Sequence, residues 1–212
     1  MELRVNDLLR VNSVKNLNGD FSHNPWVIEA VARAPYGVVR RAPLIDGFIP
    51  VGIRGSDRSQ RMAASVLWDH VEEVITPEQL VKGRLWRSNE HIRETSMFHA
   101  LERIESIFKP YGILWGPVGS VGFELACNVP VVTKTSDLDL VFRMPNPLSI
   151  KEAKDIQKQI LAVPVKTDIQ METPYGSVAL EEYQRGREMV LRTLDGPKLV
   201  DNPWSLEEVL EV

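Results

Sequence analysis

One cysteine, Cys127, is all that the 212 residues hold. That excludes an intrachain disulfide and any multi-cysteine metal site, and it fits a reducing cytoplasm. Long apolar runs are missing too: none approaches the roughly 20 residues of a membrane-spanning helix. The opening stretch "MELRVNDLLRVNSVKNLNGDF" mixes charges throughout, which a secretory signal does not. There is no excess of positive charge. The formal net charge is −4, and a general nucleic-acid binder is usually basic. His23, His70, His91 and His99 are scattered without metal-ligand spacing, and no base is spaced to make Cys127 a nucleophile. Internal repeats and low-complexity tracts are absent. What remains is ordinary for a soluble globular chain of one large or two small domains.

The charge is unevenly spread. Residues 32 to 61 hold Arg33, Arg40, Arg41, Arg54, Arg58 and Arg61 against Asp46 and Asp57, a local charge of +4. A solvated arginine-rich face explains this, and so does a patch for a phosphate-bearing ligand or an acidic partner.

The first third reads as short strands punctuated by Pro and Gly from "NPWVIEAVAR" onward, then a helix near Arg61 to Trp68. In "ITPEQL", Thr76 is placed to cap a helix that begins at Pro77. A boundary near "KGRLWR" divides the chain into residues 1–83, assigned to substrate or carrier recognition, and a catalytic domain, 84–212. In the second part, "SNEHIRETSMFHALERIESIFKPYG" has Ile92, Met97, Leu101, Ile104 and Phe108 at helical spacing, with Pro110 and Gly112 as stops. "ILWGP" reads as a short buried strand, and Trp115 within it as core rather than a stacking platform. Ser120 is expected to cap a helix through "VGFELACN". "DLDLVFRM" alternates as a strand. "SIKEAKDIQKQILAV" is an amphipathic helix with Ile150, Ala153, Ile156, Ile160 and Leu161 inward. "VKTDIQMET" is a second alternating strand with Val165, Thr167, Ile169 and Met171 on one face. The expected class is α+β: a small mixed sheet with helices on one face, preceded by a smaller α/β domain.

Aspartate is uncommon in strands, yet Asp137 and Asp139 sit two apart in one. Side chains two apart in a strand share a face. Leu138, Leu140 and Phe142 then fill the other. Like charges so placed raise each other's pKa, and a divalent cation relieves the conflict. Asp168, pointing away from Thr167 and Ile169 in the next strand, is a third candidate. Glu172 on the same face is an alternative third carboxylate. Three such groups can hold two cations on a phosphate chain. Gly116 and Gly119 allow the backbone to approach a ligand closely, and Ser120 opens a helix whose free N–H groups suit a phosphate. The alternatives are a turn capped by Asp137 and Asp139, a solvated Asp168, and a Ser120 that is only a cap.

The pattern "WGPVGS…SDLDLVF…TDIQ" resembles the nucleotidyltransferase superfamily of the DNA polymerase beta type. "ILWGPVGSVGFELACNVPVVTKTSDLDLVFRMP", "VKTDIQMETPYGSVALEEY", "VGIRGSDRSQR" and "NDLLRV" are more closely similar to one family: malonate decarboxylase holo-acyl-carrier-protein synthases, or phosphoribosyl-dephospho-CoA transferases. The likeness covers nearly the whole chain and is most specific over Gly119–Leu140. It departs at Cys127-Asn128, where a small or Gly-containing turn is expected. The resemblance implies transfer of 2′-(5″-phosphoribosyl)-3′-dephospho-CoA from its triphosphate precursor to a serine of the malonate decarboxylase acyl-carrier subunit, with pyrophosphate leaving. It implies catalytic Asp137 and Asp139, Mg²⁺ (or Mn²⁺) on Asp137, Asp139 and Asp168, and a substrate held by Gly119 and Ser120. Arg54, Arg58 and Arg61 are added as candidates for gripping the substrate or steering the carrier. Another enzyme of the same superfamily and a non-catalytic nucleotide-binding module are the competing readings.

Overall fold

A computed structural model of the chain describes residues 2–57 and 59–205. Two six-stranded sheets are arranged one after the other along the sequence. The first contains β1 (Leu8–Val11), β2 (Leu17–Asn18), β3 (Tyr36–Val39), β4 (Phe48–Arg54), β5 (Arg61–Leu67) and β6 (Val71–Ile75), with α1 (Trp26–Arg33) packed on it. Its order is β2-β5-β4-β3-β1-β6, and every pairing is antiparallel.

Two expectations fail here. Residues 26–33 form a helix, not a strand. Val27, Ala30 and Val31 recur at the three- and four-residue spacing of one helical face, and all three are buried. Residues 61–67 form β5, not a helix. They pair with β4 over seven consecutive positions from Phe48↔Leu67 to Arg54↔Arg61, and buried Ala64 and Val66 alternate with more exposed neighbours. The helical propensity of Met-Ala-Ala is weak beside a ladder of that length.

The chain then passes through α2 (Pro77–Lys82), α3 (Glu90–Arg93) and α4 (Ser96–Phe108) into the second sheet. Thr76 caps α2 as expected, in a full capping box with Gln79. The single helix expected from residue 88 onward is broken at Thr95. The Thr95 hydroxyl donates to the Ile92 carbonyl and accepts from the Met97 N–H, ending α3 and opening α4. Gly112, with φ +61°, closes the turn after α4.

The second sheet has the order β12-β11-β10-β9-β8-β7. Its strands are β7 (Leu114–Pro117), β8 (Leu138–Arg143), β9 (Thr167–Thr173), β10 (Gly176–Ala179), β11 (Met189–Thr193) and β12 (Gly196–Val200). Helix α5 (Gly119–Cys127) joins β7 to β8, α6 (Ile150–Ile160) joins β8 to β9, and α7 (Leu180–Tyr183) follows β10. Among the described strands, only β8 and β9 run parallel, which requires the crossover that α6 supplies. Ser149 caps α6 through a capping box with Glu152. Ala153, Ile156 and Ile160 face inward as expected. Leu161 does not: the helix has ended at Ile160, and Leu161 is exposed.

Leu138, Leu140 and Phe142 are fully buried, in one cluster with α4, α5 and α6. Phe142 meets Phe108 edge-on at 4.7 Å, and Phe108 meets Trp115 at 5.2 Å, so Trp115 is core. Burying side chains of this size contributes about 2–3 kcal/mol each. Trp86 is fully buried, and its indole N–H donates to Glu102 Oε1 at 2.6 Å.

The opposite face of β8 and β9 meets the first sheet. Arg143, at the end of β8, donates to Asp7 Oδ1 (3.1 Å), the Val5 carbonyl (3.0 Å) and Glu78 Oε1 (2.5 Å). One guanidinium serves two carboxylates here. Burial foremost pushes Asp7 up to about 6, and Glu78's charge adds to this, against the pull of the Arg4 amide and of Arg143. Burial also raises Glu78, but the charge and hydrogen bond of Arg143 outweigh it and hold that carboxyl below its ordinary value. Beside Arg143, Arg41 grips both oxygens of Glu172 at 2.6 Å. An apolar cluster of Leu8, Ala34, Tyr36 and Phe123 joins the same two regions.

Candidate active site

Parallel pairing decides where the carboxylates meet. In the register of β8 and β9, Asp139 stands opposite Asp168. Partners in adjacent strands share a face and lie roughly 4.8 Å apart along the hydrogen-bonding direction. Asp137 precedes β8 by one residue and joins them through Lys166. The Lys166 ammonium lies 3.3 Å from Asp137 Oδ2 and 3.3 Å from Asp168 Oδ2. Its pKa is raised by the hydrogen bonds to Asp168 and Asp137. Among the described residues, no three His, Cys, Asp or Glu side chains already converge as a metal-binding cluster. The Lys166 ammonium bridges two of the three candidates.

Asp139 is the most enclosed of the three. Burial, then the charges of Asp168 and Asp137, push its carboxyl above the ordinary aspartate range. Arg54 and Arg61 pull it back. Those arginines are the last register pair of the β4–β5 hairpin, so the first sheet brings positive charge to the carboxylates of the second. Arg58 lies outside the described residues. Glu172 shares the face of Asp168, but it stands opposite Arg143 and is held by Arg41, away from the Asp139–Asp168 pair.

Gly119 forms the sharp turn from β7 into α5. Its φ is +61°, and a Cβ there would lie 2.2 Å from Asp139 Oδ2. Only glycine meets both conditions without strain. The carboxylate therefore lies directly against the start of α5. Gly116 has a different role from the one expected. A Cβ on it would lie 2.2 Å from the Pro77 carbonyl, so its bareness admits α2 rather than a ligand.

The cap of α5 is Val118, not Ser120, and Val118 has no side-chain hydrogen bond to give. Ser120 lies in the first turn of the helix and is buried. The first-turn N–H groups, which no intrahelical carbonyl reaches, face the same end as Asp139. At the other end, Asn128 takes the left-handed conformation (φ 56°) that ends the helix, a role asparagine fills where glycine is more common.

Three supporting residues were not singled out from the sequence. Glu124 is fully buried in α5, accepts from the Val131 and Val132 amides at 2.7 and 2.8 Å, and lies 2.6 Å from His91 Nδ1. It fixes the segment that leads into Asp137. Its position mid-helix among Phe123, Leu125 and Ala126 is the one signal the sequence gives, a charge in an apolar run. Lys166 and Arg143 give no local signal at all.

Residues 84–203 match the model of the phosphoribosyl-dephospho-CoA transferase MdcG C-terminal domain, and residues 4–77 match that of its N-terminal domain. A phosphoribosyl-dephospho-CoA transferase of Pseudomonas syringae pv. tomato is 36% identical over 87% of this chain and 86% of its own length. One from Pseudomonas putida is 35% identical over 97% of both chains. One from Klebsiella pneumoniae is 34% identical over 97% of this chain and 98% of its own. No solved structure matches. With both halves matched, and with relatives of this identity aligned over most of their length, the chain belongs to the phosphoribosyl-dephospho-CoA transferase family.

Proposed function

We propose that the protein transfers 2′-(5″-phosphoribosyl)-3′-dephospho-CoA from its triphosphate precursor to a serine of the apo malonate decarboxylase acyl-carrier subunit, releasing pyrophosphate. Residues 84–212 act as a catalytic domain of nucleotidyltransferase type. Residues 1–83 act in recognition, and the setting is cytoplasmic. The observation that carries this reading is the register of Asp139 with Asp168 beside Gly119. It matters because phosphoryl-type transfer depends on positioning and charge neutralisation.

The residues present fit a divalent cation, Mg²⁺ or Mn²⁺. The donors are oxygen-only carboxylates. Asp139 is raised by burial and by two like charges, and an ammonium already bridges two of the group. Asp137, Asp139 and Asp168 would hold the ion. Bound there, it would polarise the α-phosphate, acidify the serine hydroxyl and offset charge on the departing pyrophosphate.

The protein's own groups do the rest. Asp139 fixes the centre of the site against α5. The first-turn amides of α5 at Gly119 and Ser120 hold terminal phosphate oxygens. Arg54 and Arg61 bring positive charge to the phosphate chain, and Arg58 lies in the same hairpin sequence. The serine oxygen bonds to the α-phosphorus as the bond to the β-phosphate oxygen breaks. The serine proton leaves to solvent water, which the exposed side of the site at Asp168 admits. Among the described residues, no helix is long and apolar enough to cross a membrane.

The test is to incubate apo carrier subunit with the triphosphate precursor and Mg²⁺, and to record the intact mass. One prosthetic group on one serine is expected. An unchanged carrier mass in the presence of folded enzyme overturns the reading.

A further inference from the structure

Lys166 is the residue of this site that the family resemblance and the sequence pattern leave without a role. Its backbone carbonyl accepts from the Leu138 N–H at 2.8 Å, fixing the main chain just ahead of β9. Its side chain is 68% exposed and reaches back over the carboxylates, with Nζ at 3.3 Å from both Asp137 and Asp168. Nζ therefore occupies the position between two negative groups where they would otherwise repel each other. A flexible, solvated ammonium can leave such a position readily, because exposed ion pairs are weak.

We propose that Lys166 is a placeholder cation. Its ammonium bridges Asp137 and Asp168 while the site holds no metal, and it swings out when a divalent cation binds. This rests on the reading that these carboxylates take a divalent cation. Lys166 is thus a positioning residue. It keeps the carboxylates on one face and near their working separation without a metal, and it competes with the metal for the same oxygens. The competition sets the apparent metal affinity below what the carboxylates alone would give. Once displaced, the ammonium remains tethered at the rim.

Direct titration of Mn²⁺, with free ion followed by electron paramagnetic resonance, tests this in the full-length wild type and in Lys166→Met, Lys166→Arg and Asp139→Asn. Lys166→Met is expected to bind Mn²⁺ more tightly, by about fivefold, the scale of an exposed ion pair. Its metal-free melting temperature should fall by a few degrees, on the order expected for a small domain losing that much, and its gain in melting temperature on saturation with Mn²⁺ should exceed that of the wild type. Lys166→Arg keeps a cation and should stay within about twofold of the wild type. Unchanged or weaker Mn²⁺ binding by Lys166→Met overturns the placeholder role, since a merely structural lysine would not oppose the metal. If Asp139→Asn binds Mn²⁺ as the wild type does, or the wild type binds none, the metal reading itself fails and the placeholder role with it.

Discussion

The two sheets meet the same site by different geometries. In the first, the antiparallel hairpin β4–β5 makes Arg54 and Arg61, seven residues apart, the last pair at its tip. In the second, the parallel pair β8–β9 makes Asp139 and Asp168 neighbours across the α6 crossover. A hairpin gathers residues that are close in sequence. A parallel pair gathers residues at the same ends of two distant strands. One sheet therefore supplies arginine from a local turn, and the other supplies aspartate from two separate segments. Between them, Arg143 and Arg41 tie the far ends of β8 and β9 to the first sheet. The far ends of these strands are thereby enclosed, while the carboxylate end stays open to solvent at Asp168, whose side chain is 51% exposed.

Three substitutions break or sharpen that contrast. Asp139→Asn strikes the acidic side at its centre, and transfer measured by carrier mass gain should fall on the order of a thousandfold, with folding retained by circular dichroism. A variant within tenfold of wild type would remove Asp139 from the catalytic role. Arg143→Met strikes the tie between the sheets. It leaves buried Asp7 and largely buried Glu78 without their guanidinium, and urea unfolding should show a loss of about 3 kcal/mol. A loss well under about 1 kcal/mol would mean that water takes over the pairing. Arg61→Gln strikes the basic side, and it should raise KM for the triphosphate precursor several-fold with a smaller change in kcat, on the scale of one exposed charge. That effect should shrink as salt rises. A loss confined to kcat would instead place Arg61 at the reacting phosphate.

Local pattern made much of the second sheet legible. The alternation in "DLDLVFRM" and "VKTDIQMET" shows which residues share a face, because strand side chains have a period of two. The capping boxes at Thr76 and Ser149 show where α2 and α6 begin, because their partners are three residues away. Where local signals compete, the reading failed. Apolar spacing in "WVIEAVAR" was outweighed by the neighbouring Pro and Gly, and "RMAASVL" was read by propensity when pairing with β4 governs it. Strand alternation does not distinguish Asp168 from Glu172 as the third carboxylate. They share a face, and their surroundings differ only through distant partners: Arg41, 131 residues away, holds Glu172, while Asp168 stands opposite Asp139.

The sequence by itself determined that Asp139 and Asp168 lie on strand faces opposite the core, and that a glycine stands where the chain must turn beside them; Asp137 stands just ahead of β8 rather than in it. Tertiary structure alone decided that Asp139 stands opposite Asp168, that Lys166 bridges Asp137 and Asp168, and that Arg54 and Arg61 of the first sheet bring positive charge to bear on Asp139. The physical reason is range. Side-chain direction within a strand follows from neighbouring residues, whereas charges on the two sheets meet only after segments as far apart as Asp7 and Arg143 have packed together.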